Sequence, residues 1–346
     1  MKMFQSQSQA SSSVLGAYIA DALSMPTHWY YDLRSLHRDY GEIGDFVTPN
    51  PEHPDSIFYR SRIPSLPPQF DIFGQERVAW GRENIHYHRQ LEAGENTLNF
   101  KLGLALMGCL ERQLDYSRID YAKAYCQFML KPDEHRDTYI EECHRNFFVS
   151  LSRGVEIEEA GRPDIHIGGL THVPILFAAY SGDLDQLRQI IRSHVALTHP
   201  DDRVIEAALC FGEILFDLGA GMDLENSLSQ RAMSFFSLRK ARKYAPRPDV
   251  EILKSRYGLA CYIDQAFPAA LYLAWKYREH FEEGVLANAN LGGDNCHRGA
   301  VVGSILGLIN SEVVSKSRWR TGLLEGERIE ASMAAIFDLR SKGVGQ

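Results

Sequence analysis

The sequence contains no apolar run approaching the roughly 18 to 20 residues of a membrane-spanning helix, so no membrane partner is expected. It has little cysteine, six residues in 346, and no Cys-x-x-Cys pair. That spacing fits reduced thiols in a cytoplasmic compartment rather than a disulfide framework. Basic residues are also short: 37 Lys and Arg stand against 45 Asp and Glu, a formal net charge of -8. Affinity for nucleic acid rests on neutralising phosphates, so no nucleic-acid partner is expected. Strand-like alternation is scarce. The first twelve residues are polar and low in complexity, with neither the apolar core of a signal peptide nor the arginines of a transit peptide. They read as a flexible tail, leaving residues 13–346 as a single domain.

Helical periodicity runs through most of the remainder. Val14, Leu15, Tyr18, Ile19, Ala22 and Leu23 line one face, and Leu98, Leu102, Leu106 and Leu110 line another. Further helices are expected around residues 117–130, 135–160, 170–180, 184–195, 201–219, 264–289, 297–310 and 327–341, which makes the fold all-α. Residues 41–75 are the long exception, because Pro49, Pro51, Pro54, Pro64, Pro67 and Pro68 block helix and central strand alike. With Phe46, Phe58, Tyr59, Phe70 and Phe73 inside it, this stretch reads as a packed lid. Gly299, Gly303 and Gly307 recur every fourth residue in an expected helix. Glycine there costs up to about 1 kcal/mol per position relative to alanine, which implies that another backbone comes close.

Four segments place polar or titratable residues at helix ends. Asp21, among apolar neighbours, is either a hydrogen-bonded structural acid or a site residue, and His28 follows it just after Pro26, beside Trp29, Tyr30 and Tyr31. Glu95, Asn96 and Thr97 open the Leu98 helix, where Asn96 or Thr97 is a natural cap. His199 sits in Leu197-Thr198-His199-Pro200-Asp201-Asp202, where packing and capping account for the residue types without any chemistry. The last segment, Gly292-Gly293-Asp294-Asn295-Cys296-His297-Arg298, sets an acid, a thiol and an imidazole at a helix N-terminus. Such a position offers an anion site and favours a thiolate, which separates Cys296 from the other five cysteines, read as small core hydrophobes.

Taken in order, these segments resemble the signature blocks of the ADP-ribosylglycohydrolase family, which includes the dinitrogenase-reductase-activating glycohydrolases and the jellyfish crystallins. The family's Gly-Asp-Ala-Leu-Gly-x-Pro-x-Glu matches Ala20 through His28, and its Thr-Asp-Asp-Thr matches Gly94-Glu95-Asn96-Thr97. His166-Ile167-Gly168-Gly169-Leu170-Thr171-His172-Val173-Pro174 resembles the central Gly-Asn-Gly block, and Leu197-Thr198-His199 stands as Leu-Thr-His. Ala266-Phe267-Pro268-Ala269-Ala270 and Gly292-Gly293-Asp294-Asn295-Cys296-His297 match the last two blocks. The resemblance implies a compact orthogonal multi-helix bundle, and a hydrolase that cleaves a glycosidic bond of ADP-ribose, of an ADP-ribosylated protein, or of a related nucleotide-sugar adduct. A catalytically inactive ligand-binding or structural member, crystallin-like, is the alternative.

In that family two magnesium ions sit on the Thr-Asp-Asp and Asp-x-Asp-Thr blocks. The corresponding metal positions here are Glu95, Asn96, Asp294, Cys296 and His297, and His28 replaces the acid of the opening block. Magnesium is implied by the resemblance, whereas this softer donor set suits zinc or iron. Metal-free hydrolysis, with catalytic positions His28, Glu95, Asp294 and Cys296, fits the same residues. Asp21, Trp29, Gly168, Gly169, His199 and Gly293 are the positions expected to bind substrate.

Overall fold

The computed structural model describes residues 7–113, 115–131 and 134–343. Helices α1 (Gln7–Ser24), α2 (Leu33–Tyr40), α3 (Leu98–Leu110), α4 (Arg118–Leu130), α5 (Glu142–Ser152), α6 (Val173–Tyr180), α7 (Leu184–Thr198) and α8 (Asp202–Gly219) form the first half. The second half contains α9 (Leu224–Arg231), α10 (Leu238–Tyr244), α11 (Asp249–Ile252), α12 (Ile263–Lys276), α13 (Phe281–Asn290), α14 (Asn295–Ile309), α15 (Ser311–Lys316), α16 (Arg318–Gly322) and α17 (Gly326–Gly343). Among the described residues the only β pairing is two isolated bridges, Glu52 with Ile85 and His166 with Tyr262. The fold is all-α, as expected. No described helix is long and apolar enough to cross a membrane.

The centre is the antiparallel pair α1 and α14, both buried almost all round, as an interior helix must be if it is apolar on every face. A Cβ at Gly303 would stand 2.1 Å from the Gly16 carbonyl oxygen, and one at Gly307 would stand 2.3 Å from that of Ser12. The Ser13 and Ser304 hydroxyls meet at 2.7 Å across the seam. The small-residue repeat therefore lets two backbones touch. Because the pair runs antiparallel, the C-terminal end of α1 lies beside the N-terminal end of α14, and the acids and imidazoles of both ends converge.

Three expectations need correction. Helix α1 begins at Gln7, with Ala10 and Ser12 buried, so residues 7–12 belong to the helix rather than to a flexible tail; residues 1–6 lie outside the described residues. The helix expected over 135–160 contracts to α5, because Asp137 leaves the helix to accept the Leu98 amide at 2.9 Å, and Gly154 at φ 82° ends it. The run expected over 264–289 divides into α12 and α13 around Tyr277, whose hydroxyl is bound by Asp249 at 2.6 Å. Residues 41–75 are irregular as expected, with single 3-10 turns at Phe58–Arg60 and Pro68–Phe70. Phe58 of that stretch is buried against Trp80, Tyr87 and Tyr139.

Candidate active site

The Gly292-Gly293 turn sets Asp294 in place. Both glycines take left-handed backbone, φ 59° and 65°, and a Cβ on either would stand 2.2 Å from a carbonyl oxygen, of Tyr30 or Leu259 respectively. The freed space is used by main-chain bonds: Gly293 N to Tyr30 O, Trp29 N to Gly293 O, both 2.8 Å, and Asp294 N to Leu259 O, 2.9 Å. Arg298, fully buried, donates to Gly292 O and to Asn288, bracing the turn from below. This lacing holds His28 and Asp294 in register.

His28 Nε2 lies 3.0 Å and His297 Nδ1 2.8 Å from the same Asp294 oxygen, Oδ1, the second as an ion pair off the line of a hydrogen bond. The other oxygen, Oδ2, is buried without a hydrogen-bond partner. Burial alone would raise the Asp294 carboxyl, but His297 and His28 outweigh it and hold it well below the usual range. Burial likewise opposes charge on His297, yet Asp294 and Glu141 drive its pKa well up. Glu141, 3.0 Å from His297 Nε2, is brought down to about 2 by that imidazolium against its burial. The centre is thus a carboxylate, an imidazolium and a second carboxylate in a row.

Behind His28 the row continues. His28 Nδ1 lies 2.7 Å from His88 Nε2, and His88 Nδ1 lies 2.7 Å from Asp137 Oδ1. Three contacts between two carboxylate ends require three N–H groups, and two neutral imidazoles supply two. Burial pulls His28 down to about 4 against its bond to Asp294, while both end carboxyls are held below their ordinary values. A neighbouring chain shows the contrast. The Tyr116 hydroxyl bonds His194 Nδ1 at 3.0 Å, His194 Nε2 bonds His172 Nδ1 at 2.9 Å, and His172 Nε2 donates to the Asn99 carbonyl at 2.7 Å. That chain closes with both rings neutral.

The remaining expected positions are distributed as follows. Asp21 accepts from Asn96 Nδ2, Thr97 N and Thr97 Oγ1 at 2.8 to 2.9 Å, which ties the end of α1 to the start of α3. Asn96 also donates to Tyr18 O. Glu95 is taken up by Lys101, Arg136 and the Glu92 amide, so it does not join Asp294. Trp29, held at φ 61°, stacks on His28 with ring centroids 3.9 Å apart. A Cβ at Gly168 would stand 2.9 Å from Glu141 Oε2, and one at Gly169 would stand 3.0 Å from His199 Cγ, so both glycines make room for neighbouring acid and imidazole. Cys296 is wholly buried with Met25 and Leu91, and its thiol faces the Asp21 carbonyl at 3.7 Å. Burial, then Asp21 and Asp294, push that thiol well up, the reverse of the thiolate expected from a helix N-terminus. Desolvation beside two acids outweighs the dipole.

His88, Asp137, Glu141 and Asn99, whose Nδ2 donates to Glu141 Oε1 at 2.6 Å and whose Oδ1 lies 2.8 Å from His144 Nε2, carry much of this network and are not singled out by the sequence. His88 had a weak local signal in His86-x-His88; Asp137 and Glu141 had none, being isolated acids in an expected helix.

Two groups of donor atoms here lie close enough to share an ion: His28, Asp294 and His297, and His28, His88 and Cys296. The magnesium pair implied by the resemblance does not fit these residues. Glu95 is neutralised by two cations, and Asp294 is the one carboxylate in either group, where hard oxygen donors are needed; Asn96 Oδ1 is buried without a partner but its side chain is tied to Asp21 through Nδ2. The two groups, of nitrogen, oxygen and sulfur donors, are compatible with a metal site.

A solved structure titled "ADP-ribosylglycohydrolase-related protein complex" superposes with a TM-score of 0.61 at 20% identity, covering 96% of this chain and 98% of that one, which establishes a common fold. No curated protein sequence matches the chain. The family model for ADP-ribosylglycohydrolase matches residues 5–344. With that match spanning nearly its whole length, the chain belongs to the ADP-ribosylglycohydrolase family.

Proposed function

We propose that the protein is a hydrolase that cleaves a glycosidic bond of ADP-ribose, of an ADP-ribosylated protein or of a related nucleotide-sugar adduct, at a site centred on Asp294. The observation that carries this reading is the Asp294 carboxylate, ionised by two histidines through one oxygen and with its other oxygen buried and unpartnered. Glycosidic cleavage passes through an oxocarbenium-like state, and a desolvated carboxylate stabilises that cation better than water does. Water forms the new bond to the anomeric carbon as the bond to the leaving group breaks. Asp294 Oδ2 is placed to orient that water, and the proton that the water gives up passes to the leaving atom. A bound zinc- or iron-class ion would supply a polarised water at the same donors. The cytoplasmic setting belongs to this proposal and rests on the six free thiols.

One observation favours the second reading, a ligand-binding or structural protein without turnover: His28, Asp294 and His297 are only 1 to 2% exposed. Under the hydrolase reading the Trp29–Tyr31 segment must move to admit substrate, and Tyr31, 42% exposed, marks its outer side. Release of ADP-ribose from ADP-ribosylated protein decides between them. The hydrolase reading expects turnover by the wild type and a loss of about 10²- to 10³-fold in Asp294→Asn, the cost of removing one preorganised electrostatic group. Absence of turnover by the wild type favours the binding protein.

A further inference from the structure

Next to the site above, on the far side of Gly168 and Gly169, a second set of metal-binding donors converges. Cys143 near the start of α5, Asp164 in the loop before Gly168, and His199 at the end of α7 each present a donor atom, and the three lie within 4.8 Å of one another. All three residues are buried: Cys143 is 1% exposed, His199 2% and Asp164 7%. The three come from separate parts of the chain, so the fold itself brings them together.

His199 supplies the independent observation. Its Nδ1 is 2.9 Å from the Thr198 hydroxyl, while its Nε2 is buried with no hydrogen-bond partner. That Nε2 faces Asp164 Oδ1 at 4.0 Å, too far for a hydrogen bond. If Nδ1 carries the proton, a nitrogen lone pair looks across the gap at a carboxylate. If Nε2 carries it, a buried N–H is left unsatisfied. Either state is costly in a dry interior, and a cation between the two atoms removes the cost in the first.

We propose that Cys143, Asp164 and His199 bind one zinc-class divalent cation, separate from the Asp294 centre, with the fourth position open to water or a ligand oxygen. A mixed sulfur, nitrogen and oxygen set selects that class over magnesium or calcium. The donors of a tetrahedral zinc stand about 3.3 to 3.7 Å apart, so the three groups close by a small side-chain rotation. The supporting shell that such sites use is present: Thr198 holds the His199 ring, and His166 Nδ1 lies 2.7 Å from the ligating Asp164 oxygen. His166 is 25% exposed on its side chain and Ile165 is 47% exposed, so the ion has a short route from solvent. Binding converts the neutral Cys143 thiol to a metal-bound thiolate and releases its proton to solvent, so affinity rises with pH.

The test is titration of the full chain, stripped with chelator and reduced, with cobalt(II) chloride, read by absorption, followed by displacement with zinc chloride. The expected result is a thiolate-to-cobalt charge-transfer band of which one equivalent is lost in Cys143→Ala and kept in Cys296→Ser, whose comparison separates any contribution of the His28, His88 and Cys296 group. Asp164→Asn, chosen because it keeps the side-chain volume, is expected to weaken binding at least tenfold with the band position kept, and circular dichroism verifies the folding of each variant. Absence of a thiolate band in the wild type overturns the proposal. So does a band that is undiminished in Cys143→Ala or wholly lost in Cys296→Ser. Hydrolysis at Asp294 is scored separately, so either proposal can fail while the other stands.

Discussion

Replacing His172 with glutamine separates one buried imidazole from the thirteen histidines of the chain. Burial pulls His172 down to about 4, partly offset by its bond to the Asn99 carbonyl. The groups facing it are His194 from α7, His199 just after that helix and the Tyr121 hydroxyl from α4, with Tyr116 beyond His194. None is an acid that would hold a proton on the ring. A histidine depressed in the folded state contributes stability that is complete above its unfolded value near 6.5 and is lost as pH falls from there towards 4. At about pH 5.5 the unfolded ring is mostly protonated and the folded ring is not, which costs about 1.4 kcal/mol relative to about pH 7.5. The figure barely depends on the folded value, provided it lies well under 5.5.

The wild-type pH slope alone does not isolate this cost. His166, pushed up to about 11 chiefly by Asp164 against its burial, and His297, also raised, contribute stability that is full below 6.5 and is lost as pH rises. These terms run opposite to that of His172. The informative quantity is a double difference: urea unfolding of wild type and His172→Gln at about pH 7.5 and about pH 5.5. The wild type is expected to lose about 1.4 kcal/mol more than the variant on acidification. Identical pH dependence in the two proteins would refute the reading of a buried, neutral His172.

Two further outcomes test the packing and the thiol. Gly303→Val drives side-chain atoms into the Gly16 carbonyl and should destabilise the chain by several kcal/mol, on the order of 3 or more by chemical denaturation, whereas Gly182→Ala, at a glycine with open space, should cost under about 1. Iodoacetamide labelling of the native protein should modify partly exposed Cys126 and Cys261 before buried Cys296; fastest labelling at Cys296 would mean that the thiol is not held neutral as its surroundings imply.

What the sequence discloses divides by the range of the interaction. The α1–α14 seam is legible because glycines every four residues can be explained only by close backbone approach, and the Gly292-Gly293 turn because two glycines precede an acid at a helix start. Helices α9 and α10 were not expected, although their caps, Asp223 and Ser237, accept from the Asn226 and Lys240 amides as capping residues do. Their polar sequences hid the periodicity. The site was legible where it lies on one segment, as in Asp294, Cys296 and His297, and opaque where the fold assembles it. Asp137 and Glu141 give no local sign that one will bond His88 and the other His297, and Glu95 gives none that Lys101 and Arg136 will neutralise it.

In the proposed reaction Asp294, held by His28 and His297, supports glycosidic cleavage without the family's magnesium pair. Release of ADP-ribose from ADP-ribosylated protein, measured in wild type and Asp294→Asn with magnesium present or chelated, tests it most directly. Release by the wild type is expected to stay unchanged when magnesium is withdrawn and to fall by about 10²- to 10³-fold in the variant. Release that collapses without magnesium, or that Asp294→Asn leaves intact, would contradict it.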